Sequence, residues 1–196
     1  MRLITIAFVF LAASVALARP LPERDRTAET ERWLAAAMVA EAGWLAEADH
    51  RAIYHVLRRQ YRARSARGID GSFLDTVRRY AAAFDGRTTR ARSVWVRSLA
   101  EGFHDHADPD GWPDGVSWKS HRKLWAAVRR RAWACMRGAA CRDPYRGRAT
   151  HWGGTKDPPR GCMVALVSRD TINTFYGVDA ACVRRRMKAR REQRDR

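Results

Sequence analysis

Two successive apolar stripes at helical spacing constrain this chain more than any other feature. Trp33, Leu34, Ala37, Met38, Glu41 and Leu45 form the first, and Ile53, Val56, Leu57, Gln60 and Tyr61 the second. Both follow the i, i+3, i+4, i+7 rule of a helix with one face turned inward. The pattern continues. Ser72 with Asp75 resembles a capping box, followed by a third stripe of Phe73, Val77, Tyr80 and Phe84. A fourth helix is expected over 89–102. A fifth starts near Ser117, carries His121, Leu124, Trp125, Val128 and Ala132, and closes at Gly138 as a C′ glycine. Between the fourth and fifth, His104, Asp105, His106, Asp108 and Asp110 stand among turn residues. They are metal-ligating types, but the segment reads first as a solvated loop. After Cys141 the glycines and prolines multiply, and 163–167 is the one strand-like run. The expectation is a mainly α domain with a small loop-rich lobe holding one β-hairpin.

The ends and the charge place that domain. Arg2 precedes 16 residues, 3–18, without a charge, ending in Ala16-Leu17-Ala18. That is the form of a cleaved signal peptide, and it is short for a membrane span. Export to the periplasm or beyond follows, with no transmembrane segment in the mature chain. Residues 19–28 read as a flexible leader and 29–183 as the domain. The tail, 184–196, holds eight Lys or Arg against two acids and reads as a solvated basic end. The whole chain carries a formal net charge of +17. Such a charge favours a polyanionic partner. Outside the cytoplasm, that means anionic cell-wall or envelope polymers, and no nucleic acid. Eight Trp argue against disorder. Cys135, Cys141, Cys162 and Cys182 are an even set, which in an exported chain suggests two disulfides. Three pairings exist; adjacent pairing closes the smallest loops and is favoured. A zinc site is the rival reading, against which stands the lack of any Cys-x-x-Cys pair. No cofactor is expected.

Glu41 is the chemically unusual residue. Seven positions after Leu34, three after Met38 and four before Leu45, it falls on the apolar stripe. Desolvation disfavours the charged form of a carboxyl, and a carboxyl kept protonated can donate to a leaving oxygen, as in glycoside cleavage. A Glu at the stripe edge paired with an Arg is the plainer alternative. A second carboxylate is harder to find. Asp49 stands where the second helix should begin and is accounted for as its N-cap; Glu47 reads as a solvated turn residue. With one working carboxyl, the sugar's own 6-hydroxyl becomes the natural nucleophile, and the same Glu serves as acid and then base.

Three blocks carry a resemblance. Val39-Ala40-Glu41-Ala42-Gly43 with 49–59, then Gly147-Arg148-Ala149-Thr150-His151-Trp152, then Asn173-Thr174-Phe175-Tyr176-Gly177 resemble, in order, elements of the SleB-type cell-wall hydrolases, which include spore-cortex lytic enzymes. The chain departs from that family at Arg58-Arg59, where an Asn-Arg is usual, at Trp44-Leu45 in place of Gly-Glu, and at the inserted Arg148. The resemblance implies a lysozyme-like fold with a sugar-binding groove and Glu41 as the catalytic acid. It implies further that Thr150, His151 and Trp152 line the groove opposite, that Asn173 contacts an N-acetyl group, and that Trp44 walls the groove; the plainer alternatives are a core aromatic at Trp152, a structural histidine at His151, a turn cap at Asn173 and simple packing at Trp44. The implied substrate is the glycan strand of peptidoglycan, cut by a lytic transglycosylase or muramidase at the β-1,4 bond between N-acetylmuramic acid and N-acetylglucosamine. The competing expectations are a non-catalytic wall-binding protein of the same fold and a cationic antimicrobial or nucleic-acid binder, the latter supported by charge alone.

Overall fold

The computed structural model describes residues 20–81, 97–102, 118–139, 141–153, 161–166 and 173–194. At its centre is α1 (Ala28–Ala42). Thr27 caps it, its hydroxyl accepting from the Thr30 N–H at 3.0 Å, and Glu29 and Glu31 lie in the first turn where the helix dipole favours them. Every residue from Trp33 to Ala40 is buried. The helix is enclosed all round by α2 (Glu47–Ser65), α3 (Phe73–Tyr80) and α4 (Trp118–Met136). It ends at Gly43, whose φ of 77° and ψ of −171° are a backbone region open essentially to glycine, and whose N–H bonds Val39 O at 2.7 Å. Leu45 therefore lies beyond the helix, 76% exposed, and does not continue the expected stripe.

The other helices match their patterns more closely. Ile53, Val56, Leu57 and Tyr61 are buried along α2. The capping box of α3 is formed, with Ser72 Oγ accepting from Asp75 N–H at 3.1 Å and Asp75 Oδ2 from Ser72 N–H at 2.7 Å. Those bonds hold the Asp75 carboxyl below the usual carboxylate range. His121, Trp125, Val128 and Ala132 face inward along α4. The end of α4 is a Schellman turn: Gly138 (φ 74°) N–H bonds Cys135 O at 3.0 Å, and Ala139 N–H bonds Ala134 O at 2.9 Å. Of the expected fourth helix, 97–101 is helical; Phe84 and the His/Asp-rich 104–112 lie outside the described residues.

One expectation about the ends is corrected. The leader 19–28 is docked from Pro20 onward: Leu21 is buried and its N–H bonds Met136 O at 2.8 Å. Asp25, in a 3-10 turn (Glu23–Asp25), is buried and accepts from Tyr61 Oη and Phe73 N–H, each at 2.9 Å. Polar composition suggested a loose strap, but the Leu21 N–H and the Asp25 side chain tie it to three helices. The basic tail is likewise ordered from its start, as part of α5 (Ala180–Arg194). Asp179 caps it, accepting from the Ala181 and Cys182 N–H groups at 2.8 and 3.2 Å, and the Cys162–Cys182 disulfide anchors its first turn.

The lobe after Cys141 holds a three-stranded antiparallel sheet in the order β1-β3-β2, with β1 (His151–Gly153), β2 (Met163–Leu166) and β3 (Thr174–Val178). The expected hairpin is β2 with β3, and β1 adds the third strand: Trp152 pairs with Phe175, and Ala165 with Tyr176. One face of α2 positions this lobe. His55 Nε2 donates to Cys141 O at 2.8 Å, Arg59 pairs with Asp143 at 2.8 Å, and Gln60 Nε2 donates to Thr150 O at 3.0 Å. Asp143 in turn accepts from the Tyr145 and Gly147 N–H groups, closing the turn that leads into β1. Both disulfides are formed with the adjacent pairing, Cys135–Cys141 and Cys162–Cys182, as suits an oxidising compartment. Among the described residues, no helix is long and apolar enough to cross a membrane, and no group of His, Cys, Asp or Glu has the form of a metal site.

Candidate functional site

Glu41 is the penultimate residue of α1, at the point where the enclosed helix reaches the lobe, and it is half-buried. Its surroundings are assembled from segments far apart in sequence. Trp152 Nε1, on β1, donates to Glu41 Oε2 at 3.1 Å. An indole N–H can only donate, so Oε2 is the acceptor of this bond. Asn173, at the entry to β3, donates from Nδ2 to the main-chain oxygen of Glu41 at 2.9 Å. Its own N–H bonds Asp49 Oδ1 at 2.7 Å.

Thr150 and His151 stand two residues and one residue before Trp152, respectively. The Thr150 hydroxyl lies 3.2 Å from Tyr176 O, to which it donates, and His151 Nδ1 lies 3.0 Å from that hydroxyl. With the hydroxyl proton engaged, Nδ1 is the donor of the second bond, and Nε2 carries a lone pair able to accept from a hydroxyl group. The ring is on the outer side of β1, and its pKa is lowered by partial desolvation, so it is neutral near pH 7. Trp44 packs on the other side of the α1 terminus, its ring stacked on His121 of α4 at 4.6 Å between centroids.

Of the residues singled out from the sequence, Trp152 and Asn173 are thus each joined directly to Glu41, with His151 beside Trp152 on β1, Thr150 just before that strand and Trp44 three residues beyond the carboxyl. The remaining carboxylates take other places. The second helix begins at Glu47, not at Asp49, so Asp49 is its third residue, fully buried. Glu47 pairs with Arg51 at 2.9 Å and with Arg131. A cleft of about 730 Å³ opens beside this turn, walled by Leu45, Glu47, Arg51, Arg142, Asp143 and Arg146 among others; Glu41 does not line it.

Periodicity did not point to His50. It is fully buried, Nε2 lies 2.7 Å from Gly43 O, and Nδ1 lies 2.8 Å from Arg131 Nη1. Arg131 can only donate, so Nδ1 accepts and Nε2–H donates to Gly43 O. Burial first, and the Arg131 charge with it, push the His50 pKa down to about 4. A signal was present in the sequence: the stripe of Ile53, Tyr54 and Leu57 runs back at helical spacing onto His50. No protein-family model, curated protein or solved structure matches the chain.

Proposed function

We propose that the chain is an exported peptidoglycan-cleaving glycosidase of lysozyme-like fold, with Glu41 as its general acid and base. The observation that supports this most directly is the hydrogen bond from Trp152 Nε1 to Glu41 Oε2. It brings the Glu block and the Thr-His-Trp block of the cell-wall hydrolase resemblance onto one carboxyl, from 111 positions apart. Mainly helical architecture, a small antiparallel sheet and two disulfides accord with the reading.

In this mechanism Glu41 gives its carboxyl proton to the glycosidic oxygen between N-acetylmuramic acid and N-acetylglucosamine. The C1–O bond breaks, its electron pair leaves with the N-acetylglucosamine 4-hydroxyl, and positive charge develops at C1. In the transglycosylase form the muramic 6-hydroxyl attacks C1 and returns its proton to Glu41, which regenerates the acid. In the muramidase form water takes the place of that hydroxyl. No cofactor takes part. The Trp152 and Trp44 rings supply faces on which sugar rings stack, and Thr150 with His151 Nε2 meets their hydroxyl and amide substituents.

The test is product analysis on purified sacculi. Wild type should release muropeptides, with anhydro-muramic ends for a transglycosylase and reducing ends for a hydrolase, and Glu41→Gln should release none. Release that persists in Glu41→Gln overturns the assignment. A second reading, a non-catalytic protein that binds anionic wall polymers, draws on the exposed basic surface of α5. It is distinguished by salt-sensitive binding to sacculi without any product.

A further inference from the structure

Two neighbouring polar residues in the first turn of α2, Asp49 and His50, are fully buried. Polar groups are found in such positions only where hydrogen bonds replace water. From each of them a bond leads to the C-terminal turn of α1. The last four carbonyls of a helix have no partner within it. His50 Nε2 takes Gly43 O directly. Asp49 works through an intermediary: its Oδ1 accepts the Asn173 N–H at 2.7 Å, and the Asn173 side chain donates to Glu41 O at 2.9 Å.

From this geometry we propose that Asp49 and Asn173 form a positioning pair that sets the place of Glu41 in the glycosidase reading above, on which the proposal rests. Asn173 is then a positioning residue, not a ligand of the N-acetyl group, and Asp49 is not a second carboxylate of the reaction. Three features favour this over a merely structural tie. The bond ends on the main-chain oxygen of Glu41 itself. The intermediary is the residue that enters β3, which pairs with β1, the strand carrying Trp152. One short segment therefore fixes the backbone of the acid, while its neighbour strand holds the carboxylate oxygen. Lastly, the Asn173 amide is directed to the helix terminus by a bond through its own N–H, so rotation of the side chain toward a sugar would give up the bond to Glu41.

The experiment uses the full chain with Asn173→Ala and, as a near-isosteric partner, Asn173→Asp, which keeps the backbone bond to Asp49 but replaces the donor with an acceptor. Two readouts are taken. The indole N–H resonance of Trp152, assigned by its loss in Trp152→Phe among the eight Trp, reports the bond to Glu41 without any activity. Turnover on sacculi is measured apart from half-saturation. The expected result is a displaced Trp152 resonance in both variants, and turnover lowered about 10- to 100-fold with half-saturation changed less than about two-fold, the scale of a small misplacement of a reacting group. Asp49→Asn, which retains an acceptor for the Asn173 N–H, should keep more of the wild-type turnover than Asp49→Ala. An unmoved resonance with unchanged turnover overturns the proposal. So does a rise in half-saturation at constant turnover, which would make Asn173 a sugar ligand. If the wild type releases no product while the resonance still moves, the glycosidase reading fails and the positioning of Glu41 stands. Should Asn173→Ala not fold, Asn173→Asp decides by the same outcomes.

Discussion

His50 makes the stability of the α1–α2 junction depend on pH in a window where carboxylates contribute little. In the unfolded chain its imidazole titrates at the ordinary 6.5; in the folded chain burial and the Arg131 charge hold it down at about 4, against the Gly43 carbonyl, which acts the other way. The unfolded state therefore binds the extra proton first, and between those two values it binds more protons than the folded state. Stability falls as pH falls through that window and levels off below about 4; above 6.5 the group contributes no pH dependence. At about 1.4 kcal/mol per pKa unit, the full effect is about 3 kcal/mol. Burial is the larger cause, and Arg131 adds to it: an imidazolium would turn an Nδ1–H toward the guanidinium that now donates to it at 2.8 Å. Other groups act in or near the same range. His55, also lowered chiefly by burial, acts in the same sense, and Asp143, lowered with the help of Arg59, acts below 3.8. The informative quantity is therefore the difference between wild type and His50→Gln, since Gln retains an acceptor and a donor but does not titrate. Urea unfolding followed by Trp fluorescence from pH 7.5 to pH 4 should show the wild type losing about 3 kcal/mol more than the variant. Curves that fall in parallel, or a His50 resonance that titrates near 6.5, would refute the assignment of the shift to this buried site.

Gly177→Ala tests the close approach of β3 to the segment before β1: a Cβ there would meet Arg148 O at 2.9 Å and both Leu166 methyl groups at 3.3 Å. The expected loss is about 1–3 kcal/mol, read as a lowered unfolding midpoint. Replacing Cys162 and Cys182 by Ser opens a bridge between positions 20 apart, against 6 for Cys135–Cys141. Loop-closure entropy puts the two at about 3 and about 2 kcal/mol, so the first pair should lower the midpoint more, with a fall in helical circular dichroism as α5 loses its anchor.

What was legible in the sequence was whatever depends on near neighbours. The stripe of α2, the capping box at Ser72 and Asp75, and the C′ glycine at 138 are each set by residues within a few positions, and each appears where periodicity placed it. The stripe through Glu41 misled because α1 is enclosed on all sides. When Trp33 to Ala40 are all buried, any one stripe can be drawn through them, and extending it to Leu45 passed over Gly43, where the helix stops. The leader misled for the opposite reason. Its composition is polar, but Leu21 and Asp25 find partners in distant elements, and charge density says nothing about those. Asp179 was a local signal that went unread: an Asp before Ala180-Ala181 is the start of a capped helix.

Asp49 carries the same lesson into the site. As an N-cap it would answer to its own helix, and a cap can be substituted with no consequence elsewhere. At the third position of α2 its carboxylate instead takes a donor 124 residues away, and that donor's side chain holds Glu41. Two side-chain hydrogen bonds reach Glu41 from the lobe: that of Trp152 arises on β1 and that of Asn173 on the residue before β3, the strand paired with β1, with Trp152 opposite Phe175 two positions after Asn173. The sheet and the end of α1 are therefore one mechanical unit. A displacement of the paired strands relative to the end of α1 therefore strains both bonds together. A perturbation confined to the strands, such as a Cβ at Gly177, should accordingly be felt at the Glu41 carboxyl, although no side chain between them is changed.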